Sequence, residues 1–426
     1  MDNNKHTMIL HVDADAFFVA CEVARLPHLK GTPVVVGEER GIACAMNYEA
    51  KALGIVRGTP IFKIRKSFPQ VTVLSSHFEL YREYQDHLVR ILRARFMRVE
   101  VYSIDECFVE VTPLELSYTH KSLNALKKEI ETAIGINYTF GLARTKTLAK
   151  LASSYAKPNG AKVVFPYEEE GLLKATPIGK IWGVGYRSVR LLEKLGIATA
   201  YDLVLEEDKD LVKKFAIPIL RTKHELQGRK EYDISDGTDD QKSLQVTRSF
   251  AAIEDTSFAL SELSLNITHA CRRLRALGML TKHVFVYIKK KDALYGNKYG
   301  DKKVWYECKL AFETQSEQTI LEGCKTFIKQ IENFEKGVFR GSGVWMMGLV
   351  PNDELREDLF GASVLSRADD TVFNVMDTLN HKFGEHALVS ASSLKALNQR
   401  TITSNYLDAK SRYIRGLPLP YLGEVS

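Results

Sequence analysis

Strand-like and helix-like patterns alternate along roughly the first 165 residues of the chain. Continuous apolar or β-branched runs predict strands at Met8–Val12, Pro33–Gly37, Val99–Ile104, Cys107–Val111 and Tyr138–Ala143. Apolar positions at helical spacing predict helices at Asn47–Gly54, Phe78–Met97, Leu116–Ile134 and Thr147–Ala156. This mixture of elements predicts an α+β domain in the N-terminal part of the chain.

A helical unit is predicted next, at residues 168–230, and its marker is the tight turn Gly183-Val184-Gly185. A helix from Tyr186 to Leu195 begins directly after this turn and is ended by Gly196. Glycines that open a helix expose backbone N–H groups, which bind a phosphate without reading base sequence. The pattern therefore favours either a phosphate-binding helix-hairpin-helix or a purely structural helical hairpin.

A third unit is predicted at residues 244–350. Its strands and helices follow in the order βαββαβ, with bounds at Gln245–Phe250, Ser257–Leu277, His283–Lys289, Val304–Phe312, Glu317–Ile331 and Val338–Leu349. This order is that of the ferredoxin-like split βαβ motif. Residues 351–426 are less regular, and only a short helix at Asp370–Leu379 is predicted there.

Composition narrows the class of protein. A chain of 426 residues is long enough for several domains, and its net charge is +6. The six cysteines are scattered without CxxC spacing, so neither a zinc site nor a disulfide framework is indicated, and buried reduced thiols in a cytosolic protein are expected. The sequence has no signal-peptide pattern and no apolar run near the roughly 18 residues that span a membrane.

Positive charge is concentrated in one stretch. Between Arg272 and Lys309 there are eleven lysines and arginines against three acidic residues, and tyrosine, phenylalanine and tryptophan are interleaved. This pattern is typical of a surface that follows a phosphate backbone, and Lys289, Lys290 and Lys291 are candidate contacts. The alternative is a solvated charged face on an antiparallel sheet.

Carboxylates supply the candidate chemistry. Asp105 and Glu106 are adjacent at the turn between two predicted strands, and Asp13 follows the buried strand at Met8–Val12. Neighbouring like charges repel, so their burial favours a bound cation. Converging oxygen donors suit Mg²⁺, and a pair of such ions is the usual device for in-line nucleotidyl transfer. The alternative is that Asp13 caps a helix and that Asp105-Glu106 is a polar turn.

Four sequence blocks resemble the signature blocks of the Y-family translesion DNA polymerases, in the family's order and over nearly the whole chain. They are Val12-Asp13-Ala14-Asp15-Ala16-Phe17-Phe18, Tyr48-Glu49-Ala50-Lys51, Tyr102-Ser103-Ile104-Asp105-Glu106 and Ala156-Lys157-Pro158-Asn159-Gly160. Further blocks point to the UmuC-like branch, among them Lys51-Ala52-Leu53-Gly54, Trp182-Gly183-Val184-Gly185, Val246-Thr247-Arg248-Ser249-Phe250 and Met376-Asp377-Thr378-Leu379-Asn380.

The resemblance implies a right-hand polymerase with a ferredoxin-like palm and a helical thumb. The palm is expected at residues 1–22 and 79–167, small fingers at 23–78 and the thumb at 168–232. A linker at 233–243 leads to a βαββαβ little finger at 244–350 that binds DNA, and 351–426 form a C-terminal tail.

Residue roles follow from the same resemblance. The expected metal ligands are Asp13, the Ala14 carbonyl, Asp105 and Glu106. The three acidic residues Glu106, Asp105 and Asp13 are also the expected catalytic residues. The incoming nucleotide is expected to contact Phe17, Phe18, Tyr48, Lys51 and Lys157. Phe18 is the expected steric gate against the ribose 2′-hydroxyl, whereas core packing is favoured for Phe17. DNA contacts are expected at Gly183, Gly185, Arg248, Lys289, Lys290 and Lys291.

Some positions depart from the family pattern. Lys51 stands where many members carry arginine, so the triphosphate is met by a point charge and not by a bidentate fork. Ala14 and Ala16 are smaller than their usual counterparts, and Asp15 is interpreted as an anchor for the palm or as a helix cap. Residues 355–360 are the candidate peptide for binding a sliding clamp. Leu359 and Phe360 match the expected motif, but Arg356 replaces the expected glutamine.

The predicted function is low-fidelity, template-directed DNA synthesis past lesions, as in SOS-type mutagenesis. Expected partners are primer-template DNA, dNTPs, two Mg²⁺ ions with Mn²⁺ as a substitute, and, as options, a sliding clamp and accessory mutagenesis subunits. The expected location is the cytoplasm, at the nucleoid. A nucleotidyl cyclase and a non-catalytic DNA-binding scaffold are the competing interpretations, against which the Gly183 turn, the basic third unit and the intact carboxylates argue.

Overall fold

The structure is a computed structural model that describes residues 7–215, 217–235, 241–291, 301–332, 337–352, 362–384 and 386–398, with main chain alone at 291, 301–302 and 362–370. The chain divides into two compact units, the first ending at Asp239 and the second beginning at Asp240. Among the described residues, no helix is both long and apolar enough to cross a membrane.

The first unit contains eight strands and eleven α-helices among its described residues. The strands are β1 (Met8–Ala14), β2 (Val34–Val36), β3 (Ala45–Met46), β4 (Thr72–Leu74), β5 (Arg98–Val101), β6 (Glu106–Val111), β7 (Tyr138–Ala143) and β8 (Ala161–Val163). The helices are α1 (Phe17–Arg25), α2 (Tyr48–Ala52), α3 (Ile61–Ser67), α4 (Phe78–Arg95), α5 (His120–Ile134), α6 (Lys146–Ala156), α7 (Pro166–Lys174), α8 (Tyr186–Lys194), α9 (Ala200–Leu205), α10 (Asp208–Lys214) and α11 (Ile217–Leu226).

The main sheet has the order β5-β6-β1-β7-β8, and all seven residues of its central strand β1 are buried. Both faces of the sheet are covered, because successive side chains of a strand point to opposite sides. Leu10 and Val12 pack in one core with residues of α4 and α5. Ile9 packs in a second core with residues of α6 and of the helices α7–α11. A smaller sheet has the order β3-β2-β4.

The second unit confirms the predicted order βαββαβ. Its described elements are β9 (Ser243–Ile253), α12 (Thr256–Leu277), β10 (Met279–Lys291), β11 (Asp301–Thr314), α13 (Glu317–Gly323), α14 (Lys325–Glu332), β12 (Phe339–Met347), β13 (Val350–Pro351) and α15 (Ala362–Phe383). The sheet order is β11-β10-β12-β9, so the last strand of the unit, β12, lies between β9 and β10. The element order is as predicted, but the strand order differs from the ferredoxin-like motif, in which the third strand lies between the first two.

Two elements of the second unit differ from prediction. The helix predicted at 317–331 is broken at Cys324 into α13 and α14. Helix α15 is longer at both ends than the predicted Asp370–Leu379 segment. It continues because neither glycine nor proline occurs between Ala362 and Phe383, and Gly384, with φ +110°, follows its last turn.

A buried carboxylate joins α1 to the start of α4. Glu22 is fully buried and accepts hydrogen bonds from Arg25 and the Tyr81 hydroxyl, both at 2.8 Å, with His77 Nδ1 at 2.6 Å. Burial opposes its charge, but His77 and Arg25 outweigh burial and lower the pKa of Glu22. The carboxylate therefore stabilises this corner of the fold in its ionised form.

Glu22→Gln is expected to destabilise the first unit at pH 7 by about 2 kcal/mol, because hydrogen bonds to a charged group are lost. The melting temperature of that unit should fall by roughly 4–8 °C, measured by calorimetry. Because the folded pKa is lowered, this stabilisation is complete above pH ~4.5 and disappears as the pH falls through the folded value. The exposed Glu79→Gln on α4 is the matched control, and equal melting temperatures for the two variants would contradict the assignment.

Candidate active site

Two of the three predicted carboxylates meet across adjacent strands. Asp13 on β1 stands directly opposite Glu106 on β6 in the antiparallel register, and on its other side it faces Thr139 of β7. Cross-strand partners point to the same face of the sheet. His11, Asp13 and Glu106 each offer one possible ligand atom, and these three atoms lie within 4.8 Å of one another. The structure thus forms a buried acidic site at the end of the central strand.

Two lysines pair with these carboxylates. Lys157 Nζ lies 2.7 Å from Asp13 Oδ1, and Lys150 Nζ lies 2.5 Å from Glu106 Oε2. Burial raises the pKa of Asp13 to about 7, although Lys157 opposes the shift. At Glu106 burial also acts against the charge, but His11 and Lys150 outweigh it and lower the pKa to about 2. Glu106 is therefore ionised at pH 7, whereas burial favours the neutral form of Asp13 and Lys157 favours its charged form.

Asp105 lies at the turn before β6. Its backbone oxygen accepts a hydrogen bond from the Ala14 amide at 2.9 Å, which fixes the turn against the end of β1. Its carboxylate accepts a hydrogen bond from the Ser103 hydroxyl. Asp105 is not part of the cluster that His11, Asp13 and Glu106 form among the described residues. The turn thus holds Asp105 next to the site, with its carboxylate engaged by Ser103.

His11 is a site residue that the sequence interpretation missed. It is fully buried, and its Nδ1 lies 2.7 Å from Ser153 Oγ on α6. Its Nε2 has no hydrogen-bond partner among the described residues and lies 3.9 Å from Glu106 Oε2. Burial lowers the pKa of His11 to about 4, so the ring is neutral at pH 7. The available signal was that His11 is the one polar residue in the apolar run Met8–Val12.

Asp15 ties the candidate nucleotide contacts to the sheet, as expected for an anchor. It is 6% exposed and accepts hydrogen bonds from the Tyr48 hydroxyl at 3.2 Å, Thr139 Oγ1 at 2.8 Å and the Asn159 amide at 2.8 Å. Asn159 lies two residues after Lys157. Lys51 Nζ in turn lies 4.3 Å from the centre of the Tyr48 ring. Tyr48 and the segment that carries Lys157 are thereby held by one carboxylate.

The two phenylalanines at the start of α1 have different surroundings. Phe17 is 4% exposed and packs in the core beside Leu80 and Tyr81, so a contact with a nucleotide would require repacking of that core. Phe18 is half-buried, and its ring stacks on Tyr81 with centroids 4.4 Å apart. Phe78 meets the edge of Phe18 at 5.6 Å. The Phe18 ring is therefore held rigidly while part of it stays accessible.

The glycine turn precedes α8 as predicted. Gly183 has φ +87°, a conformation that favours glycine, and Gly185 is the N-cap of α8. Both glycines are exposed. Sequence interpretation missed the basic face of the helix itself, where Arg187, Arg190 and Lys194 line a shallow cavity of about 400 Å³. The exposed glycines and these cations therefore lie on one continuous segment, the turn and the helix that follows it.

The predicted DNA contacts of the second unit lie in different environments. Arg248 Nε lies 3.9 Å from the buried Glu262 carboxylate on α12, so its charge is partly neutralised on the helical side of the sheet. Lys289 and Lys290 are half-buried, and the Lys291 side chain lies outside the described residues. Lys303, not predicted individually, lies over the rings of Tyr287 at 4.7 Å and Trp305 at 5.1 Å. Leu359 and Phe360 lie outside the described residues.

Comparison with known proteins defines the class. The impB/mucB/samB family matches residues 12–154, and the C-terminal domain of the same family matches residues 241–359, together more than half of the chain. The structure resembles a "Y-family DNA polymerase chimera", with a TM-score of 0.69 at 23% identity over 81% of this chain and 100% of that one. It also resembles an insertion ternary complex of Dbh DNA polymerase, with a TM-score of 0.54 at 23% identity over 81% of this chain and all of the other.

Sequence relatives agree with the fold. DNA polymerase IV of Neisseria meningitidis serogroup A is 32% identical over 257 residues, which cover 58% of this chain and 70% of the relative. Protein MucB of Salmonella typhimurium is 27% identical over 396 residues, which cover 88% of this chain and 90% of the relative. The fold is that of the Y-family DNA polymerases, and the chain belongs to the impB/mucB/samB family.

Proposed function

We propose that this protein is a DNA-directed DNA polymerase of low fidelity that carries out translesion synthesis. The observation that carries the proposal is the pair Asp13 and Glu106, held in register across β1 and β6 with a lysine on each carboxylate. This pair lies within the segment that the family model matches. Curated relatives bear the names DNA polymerase IV and MucB, and the matched structures are Y-family polymerases.

The domain assignment is part of this proposal. Residues 1–22 and 79–167 form the palm around β1, and 23–78 with the small sheet β3-β2-β4 form the fingers. The helices of 168–232 form the thumb, with the Gly183 turn placed to bind a DNA phosphate. The second unit begins at Asp240, close to the end of the proposed linker at 233–243. Its βαββαβ sheet is the proposed little finger.

The acidic site fits a hard divalent cation. Carboxylate oxygens are the donors that Mg²⁺ prefers, and the lysine beside each carboxylate supports the proposal that cations are favoured there. Asp13, the Ala14 carbonyl, Asp105 and Glu106 would hold two Mg²⁺ ions, or Mn²⁺ in their place. When bound, these ions supply acidification of the primer 3′-hydroxyl and neutralisation of the leaving pyrophosphate.

The nucleotide is bound by the residues that Asp15 organises. Lys157 is 37% exposed although it pairs with Asp13, so its ammonium is accessible to a phosphate. Tyr48 and Lys51 lie on α2, where burial and then Lys157 lower the pKa of Lys51. The three side chains bind the triphosphate, and the Phe18 ring lies under the sugar and excludes a ribose 2′-hydroxyl. Lys157 thereby orients the phosphates towards Asp13.

Partners and location complete the proposal. The chain binds primer-template DNA through the Gly183 turn, the basic face of α8 and the second unit. Accessory mutagenesis subunits are further proposed partners, which the name MucB of a relative supports. A sliding clamp at Leu359 and Phe360 is proposed from the sequence alone. A polymerase that acts on damaged chromosomal DNA works in the cytoplasm at the nucleoid, as part of an SOS-type response.

Primer extension with the purified full-length chain tests the proposed function. Running-start extension with Mg²⁺ should yield product on an undamaged template and continue past an abasic site, where a replicative polymerase used as the control should stop. Incubation with nucleoside triphosphates alone tests for a cyclase and should yield no cyclic product. DNA binding without extension under Mg²⁺ or Mn²⁺ would overturn the proposal in favour of a scaffold.

A further inference from the structure

Lys150 lies between two partners that compete for its ammonium group. It projects from α6, with Nζ 2.5 Å from Glu106 Oε2 and 5.2 Å from the centre of the Tyr102 ring. Its side chain is 22% exposed, so the ammonium is not enclosed at Glu106 alone. An aromatic face attracts a cation. A short movement along the ring of Tyr102 would therefore leave Lys150 with a favourable contact after it releases the carboxylate.

The ring of Tyr102 belongs to an aromatic cluster that reaches the glycine turn. Trp182 meets Tyr102 edge-on with ring centroids 5.5 Å apart, and its Nε1 donates a hydrogen bond to the Tyr102 hydroxyl at 3.1 Å. Phe108 on β6 lies 5.5 Å from Tyr102 and 5.7 Å from Trp182. Trp182 directly precedes Gly183. Tyr102, which lies beside Lys150, is thus joined through Trp182 to the turn that is proposed to bind DNA.

We propose that Lys150 is a positioning residue that balances the charge of Glu106 while no metal ion is bound, and that a divalent cation displaces it towards Tyr102. The aromatic cluster of Tyr102, Phe108 and Trp182 then transmits this displacement to the glycine turn. The inference rests on the proposed function, because it assumes that Glu106 is a metal ligand.

The exchange follows from charge. An ammonium group and a divalent cation that approach the same carboxylate oxygen repel each other strongly in a partly buried site. Lys157 and Lys150 therefore disfavour binding of a metal ion alone. The ion must either displace Lys150 or arrive together with further negative charge. A nucleotide triphosphate brings that charge. Metal ions are consequently bound weakly by the free protein and tightly by the complex with nucleotide and DNA.

Mn²⁺ binding to the DNA-free and nucleotide-free protein tests the first part. Lys150→Met keeps the length of the side chain but removes the charge, so Mn²⁺ affinity measured by electron paramagnetic resonance should rise roughly tenfold. Lys150→Arg should restore the wild-type value. Lys146→Met on the same helix is the matched control, because Lys146 pairs with Glu100 at 2.5 Å. Its affinity should equal that of the wild type.

Fluorescence tests the second part. The chain has three tryptophans, so the Trp305→Phe and Trp345→Phe background leaves Trp182 as the single reporter. Mg²⁺ titration should change its emission with Lys150 present and leave it unchanged with Lys150→Met. Thermal unfolding of each variant confirms that the fold is retained.

Three outcomes are decisive. Equal Mn²⁺ affinity for wild type and Lys150→Met overturns the charge-balancing role, and a Trp182 response that persists in Lys150→Met overturns the coupling. Asp13→Asn separates these failures from a failure of the proposed function. If Asp13→Asn binds Mn²⁺ as the wild type does, the metal site itself is wrong, whatever Lys150 does.

Discussion

Asp13→Asn should reduce the rate of nucleotide incorporation by at least ~10³-fold, equivalent to about 4 kcal/mol of lost transition-state stabilisation. Asp13 is the buried carboxylate that stands opposite Glu106 and reaches Lys157. An amide oxygen carries no net charge and cannot neutralise the metal ions, while its nitrogen is a donor where an acceptor is required. Single-turnover incorporation with saturating Mg²⁺ and dNTP measures the loss directly.

Two controls make this result specific. Asp15→Asn removes a charge two residues away, where the carboxylate accepts three hydrogen bonds from protein groups and is not part of the acidic cluster. At saturating dNTP its incorporation rate should fall far less than that of Asp13→Asn, and its main loss should appear in the KM for dNTP, because Asp15 holds Tyr48 and the segment that carries Lys157. Primer-template affinity should be unchanged in Asp13→Asn, because the proposed DNA contacts lie at the Gly183 turn and in the second unit. Equal losses in the two variants would mean that Asp13 acts through the fold and not through the metal ions.

The meeting of Asp13 and Glu106 was predictable because both lie in strongly patterned strands. The apolar run Met8–Val12 and the β-branched residues around Asp105-Glu106 predict neighbouring strands, and the structure pairs them. Asp105 was predicted to join Asp13 and Glu106, but in the structure its carboxylate accepts a hydrogen bond from Ser103. Local turn geometry of this kind depends on side-chain hydrogen bonds that periodicity does not encode.

The lysines and the histidine of the site show what pattern analysis could not provide. His11 and Asp13 are two residues apart and therefore share the face of β1 that α6 covers. Lys150 and Ser153 reach this face only because α6 packs across it. Which helix covers which face is a tertiary property, so their charges could not be paired from sequence spacing alone.

Basic residues of the second unit illustrate the same limit. The concentration of lysine and arginine between Arg272 and Lys309 is visible in the sequence, but alternation along the strands decides where each charge lies. Arg248 approaches Glu262 on α12, whereas Lys303 lies with Tyr287 and Trp305. A base can stack on an exposed aromatic ring and a phosphate can pair with a lysine beside it. Trp305, which is 45% exposed beside Lys303, is therefore a further candidate for a nucleic-acid contact.

Lys51 has surroundings that explain its departure from the family pattern. Its ammonium lies over the Tyr48 ring, and Tyr48 is itself fixed by Asp15. A cation on an aromatic face keeps its position without a carboxylate partner. If Lys51 binds the triphosphate as proposed, it meets a phosphate as a point charge and cannot form the two parallel hydrogen bonds that arginine provides.

Phe18→Ala should lower discrimination against ribonucleotides by roughly 10²-fold, equivalent to about 2.7 kcal/mol. The Phe18 ring is held between Tyr81, which stacks on it, and Phe78, which meets its edge, so it cannot turn away from a 2′-hydroxyl. Removing the ring opens space without disturbing Asp13 or Glu106. The measurement is the ratio of kcat/KM for dNTP and rNTP in single-nucleotide incorporation.

Side chains of decreasing volume at position 18 test whether the ring excludes the 2′-hydroxyl sterically or only supports the shape of the site. Phe18→Leu keeps part of the volume and should give discrimination between those of the wild type and Phe18→Ala, with kcat for dNTP close to the wild type in both. Because Phe17 is 4% exposed in the core, Phe17→Leu should alter thermal stability but leave the dNTP to rNTP ratio unchanged. If the ratio fails to follow the volume at position 18, or responds equally at position 17, the ring does not act as a gate. Because the proposed contacts of Tyr48 and Lys51 with the triphosphate do not depend on the 2′ substituent, the discrimination would then have to come from another group beside the sugar.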